Sequence, residues 1–169
     1  MKFIYFTALL ILLTSCWPKS VSFTDSGSMP VEWKTFSVKT LELVAPNAPV
    51  SYAPNLSEKI KDGIQNNTRL LLSPKAGSEQ VAIEGIISNY SVTPIAIQPG
   101  DNAAKNRLTI SVNFTIFITE PKEEKMILTS TRFVDYSSTE DFASKEAELL
   151  EEINKQIVQD VINKLFSNW

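Results

Sequence analysis

The sequence predicts an α+β fold, a two-layer sandwich in which two helices cover one face of a four-stranded mixed sheet. Residues 107–119 alternate between apolar and polar side chains, as in a strand with one buried face and one wet face. Residues 55–67 and 142–167 instead carry apolar side chains at helical spacing. Together with the shorter strand patterns around them, these segments give the element order β-α-β-β-β-α.

Composition restricts the chemistry of the chain. Its 169 residues suffice for one domain, and 16 basic against 19 acidic side chains give a net charge of −3, the wrong sign for nucleic-acid binding. The sequence has no histidine and one cysteine, which excludes Ser–His and Cys–His catalysis, histidine metal sites and an internal disulfide. An enzyme would therefore have to use carboxylates, lysine, tyrosine or serine alone, and we expect no cofactor and no metal.

The amino terminus has the pattern of a secretory signal. After Met1 and Lys2, the apolar run 3–13 would rise about 16 Å as a helix, roughly half the hydrocarbon thickness of a membrane. Leu13-Thr14-Ser15-Cys16 resembles the lipobox of bacterial lipoproteins, in which the cysteine thiol is alkylated by a diacylglycerol. The sequence thus predicts a signal peptide at 1–15, a Cys16 that carries acyl chains such as palmitate, a lipidated tether at 16–30 and a folded domain at 31–169.

The residues after Cys16 bear on the destination of the protein. Trp17 holds the second position of the mature chain, and no acidic residue occurs before Asp25. By resemblance to the sorting rules of proteobacteria, the absence of aspartate at that position favours the outer membrane. We expect a lipid-anchored outer-membrane protein that faces the periplasm.

The first half of the domain contains a strand and a helix. Residues 31–43 are typical of a strand whose alternation slips near Thr40. A helix is predicted to begin at Pro54-Asn55 and to end near residue 67, with Asn55 as its cap and Glu58 completing a capping box. Residues 70–72 form a short apolar run before a turn.

Three strands and a long helix follow. The strand at 81–92 has an imperfect alternation that predicts a bulge at Gly85, and Thr93-Pro94 should end its pairing. The strands at 107–119 and 126–136 are joined by a polar hairpin turn. The helix at 142–167 has a broad apolar stripe, and acidic residues crowd its start, where the helix dipole favours them.

These segments resemble the lipopolysaccharide-assembly lipoproteins, the LptE-like family in its Bacteroidetes form, from about Pro30 to Trp169. The likeness rests on KTFSV at 34–38, ISNYSVTPIAIQ at 87–98, NRLTI at 106–110, and the end of the chain from EEIN at 151–154 to FSNW at 166–169. The resemblance implies a non-enzymatic protein that plugs a large outer-membrane β-barrel, the LptD-like translocon. Such proteins help the barrel to fold and help lipopolysaccharide to pass to the outer leaflet.

Two sets of side chains are candidates for contacts with these partners. The polar face of the 107–119 strand can lie against the polar lumen of a barrel or simply face water; it carries Thr109, Ser111, Asn113 and Thr115. A small basic patch can bind lipopolysaccharide phosphates, because arginine forks suit phosphate; it would consist of Lys105, Arg107 and Arg132. The alternative for these cations is ordinary surface charge, or pairing with an acid such as Asp101 or Asp135.

The residues alone leave two other functions open. One is a periplasmic lipoprotein that binds an apolar ligand or scaffolds envelope components, which a deep apolar pocket in a monomer would favour. The other is a histidine-free hydrolase. Adjacent acids such as Glu151 and Glu152 lie about 100° apart around a helix and make a poor acid–base pair, so no residue set supports that function.

Overall fold

The computed structural model describes residues 29–75, 77–95 and 104–167. Several predicted features lie outside these residues: the signal peptide, the lipidated Cys16, the tether as far as residue 28, Asp101 and Trp169.

The described residues form a mixed sheet and two helices. The strands are β1 (Thr35–Val38), β2 (Glu42–Leu43), β3 (Leu71–Leu72), β4 (Val81–Ile95), β5 (Lys105–Ile118) and β6 (Glu124–Ser137), and the helices are α1 (Tyr52–Asn67) and α2 (Phe142–Phe166). The sheet order is β3-β1-β4-β5-β6, and β2 pairs with β4 beyond the end of β1. Pairing is parallel on the β3-β1-β4 side and antiparallel from β4 to β6.

The predicted α+β class, the two helices and the mixed sheet are confirmed. The predicted count of four strands is wrong, because the described chain has six strands, in the order β-β-α-β-β-β-β-α. One of the additional strands is β3, where Leu71 and Leu72 pair in parallel with Thr35 and Phe36. A strand of two residues is too short to show a period, so the apolar run at 70–72 could not be identified as a strand from its pattern.

The other additional strand comes from a break in the first strand. β1 and β2 both pair with β4, with Phe36 opposite Val81 and Glu42 opposite Ile86. Between them Leu41 turns into the core, and its N–H donates a hydrogen bond to Ser57 Oγ of α1 at 3.0 Å. The slip of alternation near Thr40 therefore marks the point where the strand is interrupted.

Helix α1 begins earlier than predicted. Its first residue is Tyr52 and its N-cap is Ser51, which makes no side-chain cap hydrogen bond, so the capping box at Asn55 is wrong. Pro54 lies in the first turn, where its missing N–H removes no helical hydrogen bond. Tyr52 and Ala53 are buried in the core, and this packing extends the helix to include them.

The bulge in β4 is not at Gly85. Gly85 pairs in regular register with Phe114, and a Cβ on Gly85 would lie 2.8 Å from both Leu41 Cδ2 and Phe114 Cδ1. Glycine is therefore required here for space. The register shift lies instead between Ile87 and Asn89, so the extra residue is Ser88.

Pairing of β4 also continues beyond the predicted stop at Thr93-Pro94. Pro94 lies opposite Asn106, and the ladder ends with Ile95 opposite Lys105. Beyond Ile87, β5 is the one described strand that pairs with β4, so Pro94 lies on an edge, where a missing N–H is tolerated.

The core lies between the sheet and the helices. The even-numbered residues of β5 face this layer and are all buried: Leu108, Ile110, Val112, Phe114, Ile116 and Ile118. The predicted stripe of α2 packs on them, with its most buried members Leu149, Ile153, Ile157, Val161, Ile162 and Leu165. Burial of apolar surface on one face of the sheet is the main contribution to the stability of the domain.

Gly63 lies where α1 packs against α2. A Cβ on Gly63 would be 2.2 Å from Val158 Cγ1. A valine in a helix is held close to one rotamer, so Val158 cannot turn away without cost. The helices approach this closely because Gly63 has no side chain.

Substitution Gly63→Ala should lower the free energy of unfolding by about 1–2 kcal/mol, because the overlap with Val158 outweighs the higher helix propensity of alanine. Urea unfolding of the variant measures this loss. Val158→Ala removes the clashing methyl, so the double variant should lose less stability than the sum of the two single variants. Strict additivity would contradict the predicted clash.

Candidate functional site

The face of the sheet opposite the helices is called the open face here. On β5 and β6 it consists of the odd-numbered residues, because even-numbered residues face the core. All four residues of the predicted polar strand lie on it: Thr109, Ser111, Asn113 and Thr115. The pairing register brings matching polar side chains beside them on β6, including Thr129 and Thr131.

Polar side chains on the open face are joined across the strands. Ser111 Oγ and Thr131 Oγ1 are 3.0 Å apart, and Thr129 Oγ1 donates to Asn113 Oδ1 at 3.0 Å. A hydroxyl has one donor and two acceptor sites, and an amide can make up to four hydrogen bonds, so capacity remains for an external partner. We call this row of paired polar side chains the polar ladder. Its groups can hydrogen-bond to each other or to another polar surface.

Large apolar side chains interrupt the polar ladder on the same face. Ile127 is 67% exposed and Phe133 is 48% exposed, and Ile86 and Phe117 are also exposed. The open face thus mixes hydrogen-bonding groups with apolar contact area. That mixture is typical of a surface that packs against another protein and is not fully hydrated.

One end of the open face holds a fixed ion pair. Arg107 donates from Nε to Asp135 Oδ1 at 2.6 Å and from Nη2 to Oδ2 at 2.8 Å, and its Cζ lies 3.7 Å from the centroid of the Phe133 ring. The hydrogen bonds from Arg107 hold the pKa of Asp135 below its ordinary value, and the nearby charge of Lys105 acts in the same direction. Lys105 and Arg107 therefore share this end of the face.

The structure does not bring the three predicted cations into one patch. Ile110 lies opposite Arg132, so Arg132 projects from the helix-covered face while Arg107 projects from the open face. Arg132 forms a two-pronged ion pair with Asp160 of α2, in which its Nε donates to Oδ2 at 2.7 Å and Nη2 donates to Oδ1. The separation follows from the strand register, which the sequence alone did not reveal.

Polar links between the sheet and the helices were missed by the sequence analysis. Ser130 Oγ donates to Asp160 Oδ2 at 2.5 Å beside Arg132, and the Tyr90 hydroxyl donates to Glu146. Burial alone would raise the pKa of Asp160, but the hydrogen bonds from Arg132 and Ser130 outweigh it and lower that pKa. The sequence does contain a sign of the link to Asp160, because this acidic residue lies within the apolar stripe of α2, three residues after Ile157 and next to Val161.

A buried aromatic pair adds to these links. Tyr52 and Tyr90 meet edge to face with ring centroids 5.9 Å apart, and the Tyr52 hydroxyl donates to Asn154 Oδ1 at 2.9 Å. Burial raises the pKa of the Tyr52 hydroxyl, and burial followed by the hydrogen bond to Glu146 raises that of Tyr90. Both hydroxyls therefore remain neutral and hold α1 and α2 to each other and to the sheet.

Within the described residues, no group of three or more acidic or cysteine side chains could hold a metal ion. None of the helices described is long and apolar enough to cross a membrane. The arrangement on the open face offers hydrogen bonds, apolar contacts and an ion pair, which suit binding.

The fold and the open face define a small α+β sandwich protein. It is similar in fold to a hypothetical protein of Chlamydia trachomatis (TM-score 0.56, 12% identity, 80% of this chain and 99% of that chain). It is also similar to a protein of Xanthomonas campestris (TM-score 0.55, 9% identity, 87% and 91%) and to an uncharacterized lipoprotein B of Nitrosomonas europaea (TM-score 0.51, 14% identity, 90% and 92%). At these identities the likeness shows the fold alone. No curated protein sequence matches the chain.

Residues 38–165 match the model of the LptE family, described as lipopolysaccharide-assembly. The match spans more than half of the chain, so this protein belongs to the LptE family. The resemblance found in the sequence is thereby confirmed. The family is one of non-enzymatic lipoproteins of lipopolysaccharide assembly.

Asp160→Ala should lower the free energy of unfolding by about 1–2 kcal/mol, because it leaves Arg132 and Ser130 without their shared acceptor. Asp135→Ala is the matched control on the open face, where the carboxylate is more exposed (30% against 14%) and its removal leaves only one partner unpaired, and its loss should be much smaller. Urea unfolding of both variants at neutral pH compares them. Equal losses would contradict a special role for the covered pair.

The stabilisation that Asp160 provides should depend on pH in a defined direction. The pKa of Asp160 is lowered in the folded protein, so its stabilisation is present above the unfolded value of about 3.9 and is lost as the pH falls through the folded value. The difference between the natural protein and Asp160→Ala should therefore shrink at acidic pH.

Proposed function

We propose that this protein is an outer-membrane lipoprotein that assembles with, and plugs, an LptD-like β-barrel translocon for lipopolysaccharide. Membership of the LptE family supports a role in lipopolysaccharide assembly. The observation that carries the plug is the open face, whose polar ladder is complementary to the polar interior of a large barrel. The apolar side chains beside the ladder supply contact area that a barrel wall would bury.

In this proposal the open face lies against the barrel wall, and the contact residues are Thr109, Ser111, Asn113 and Thr115. The ladder of hydroxyls and amides can exchange hydrogen bonds with the wall at little net cost, because it is already partly satisfied within the sheet. The helices then lie on the side away from this wall.

The proposal assigns phosphate contacts to the basic end of the open face. Lys105 and Arg107 lie there together, and Asp135 holds the Arg107 fork in a fixed orientation. Arg132 has no part in this site, because it lies on the other face with Asp160. The lipopolysaccharide phosphates would approach Lys105 first, since its charge is not held by a forked ion pair among the described residues.

A substitution on the open face tests the plug. Asn113→Lys places a charge in the ladder, and it should reduce co-purification with the barrel from gently solubilised membranes several-fold, because an unpaired charge would be buried against the wall. Gln65→Lys, an exposed position on α1, is the matched control and should leave the yield unchanged. Unaltered urea unfolding of both variants excludes misfolding. Recovery of the natural protein without any barrel would contradict the plug.

The proposal also includes an anchor at Cys16. Two or three acyl chains hold a protein firmly to a membrane, since each buried CH₂ contributes about 0.8 kcal/mol. The mature protein would then face the periplasm from the inner leaflet of the outer membrane.

Intact mass measurement of protein extracted from membranes should show acyl chains on Cys16. The variant Cys16→Ser should lack this mass and should move from the membrane fraction to the soluble fraction. A natural protein that carries no acyl group and is recovered as soluble would contradict the anchor.

A further inference from the structure

Apolar side chains are exposed close to the point where the chain enters the domain. Val31 is 74% exposed and Leu71, in β3, is 67% exposed. Both line a shallow hollow of about 420 Å³, together with Trp33 and the basic residues Lys34 and Arg69. We call Val31, Leu71, Lys34 and Arg69 the entry patch.

Arg69 fixes the backbone beside this patch. Its Nη2 donates to the carbonyl oxygen of Met29 at 2.8 Å and to that of Pro30. The start of the described chain is thus held against the connection between α1 and β3. An arginine has five N–H donors, and those on Nε and Nη1 remain available to an external anion, since no described residue accepts a hydrogen bond from them.

The length of chain before Met29 limits how far the patch can lie from the anchor. Twelve residues, 17–28, lie between Cys16 and Met29, and a fully extended chain of that length spans at most about 45 Å from Cys16 to Met29. The proposed membrane anchor therefore lies within that distance of Met29, which Arg69 of the entry patch holds by a hydrogen bond.

We propose that the entry patch contacts the phospholipid headgroup region of the leaflet in which Cys16 is anchored. Val31 and Leu71 enter the boundary between headgroups and acyl chains, and Lys34 and Arg69 lie against lipid phosphates. Apolar side chains with basic neighbours fit such an interface, and the charged residues that line the hollow are both basic. This inference rests on the proposed acylation of Cys16.

Leu71 lies opposite Thr35 at the β3 edge of the sheet, whereas the proposed barrel contacts lie on β5, so the two partners would occupy different strands. A free phosphate ion would use Lys34 and Arg69 but would leave Val31 and Leu71 without a role. A membrane surface uses all four residues. The contact orients the domain with the β3 edge at the membrane and leaves β5 and β6 of the open face for the barrel.

The full-length acylated protein tests this through a fluorescent bimane label at position 71. Acylation occupies the single natural cysteine, so Leu71→Cys supplies the one free thiol. Val50→Cys is the matched control, because Val50 is 87% exposed. It lies just before the N-terminus of α1, whereas Leu71 follows the C-terminus of that helix. Both proteins are reconstituted in vesicles of phosphatidylethanolamine and phosphatidylglycerol that contain a lipid with a spin label near its headgroup.

Quenching at position 71 should be several-fold greater than at position 50. Adding Val31→Asp to the Leu71→Cys protein should reduce this quenching towards the level at position 50, whereas adding Val50→Asp should not. Equal quenching at the two positions would overturn the proposal. So would a cross-link in native membranes that joins position 71 to the barrel, since the patch would then belong to that partner.

The outcomes separate this inference from the proposed function. If acylated protein still co-purifies with the barrel while both labels are quenched equally, the proposed membrane contact of the entry patch is wrong, whereas the proposed role as a plug is retained. If the mass measurement shows no acyl group on Cys16, the anchor and the patch both fail.

Discussion

The antiparallel pairing of β4, β5 and β6 is the constraint on which the rest of the structure depends. β5 is paired along both edges, so its direction and register are fixed by two neighbours. Once its even-numbered residues are buried under the helices, its odd-numbered residues must form the open face. A slip of one residue would exchange the two faces, so a single register sets both the core and the surface proposed for docking.

The long periodic elements could be predicted from the sequence. β5 and α2 lie close to the predicted ranges, because an apolar face repeated over many residues leaves little ambiguity. The failures concern elements decided by distant contacts. The start of α1 depends on the burial of Tyr52, the length of β4 depends on the open edge beside Pro94, and β3 depends on its pairing with β1.

The candidate site shows the same division. The polar face of β5 could be predicted from alternation alone. The partners of the basic residues could not, because they depend on the register between strands. Arg132 looked like a surface cation in the sequence, yet its even-numbered position places it on the covered face. There it forms an ion pair with Asp160 of α2, which is 28 residues away in the sequence. The alternation of a strand does not show where a helix packs against it. Basic residues on two paired strands can thus project from opposite faces of the sheet.

The extra residue at Ser88 has a consequence for the comparison of distant relatives. Ile87 and Tyr90 both face the helices although they are three positions apart, while their partners Val112 and Ile110 are two apart. The two halves of β4 are therefore out of phase with each other. A homologue that lacks this residue would keep regular alternation, so Tyr90 would still face α2 and keep its link to Glu146, whereas a regular strand that kept the residue would present the opposite set of side chains. Alignments of LptE sequences should accordingly treat this position as a place where a gap carries structural meaning.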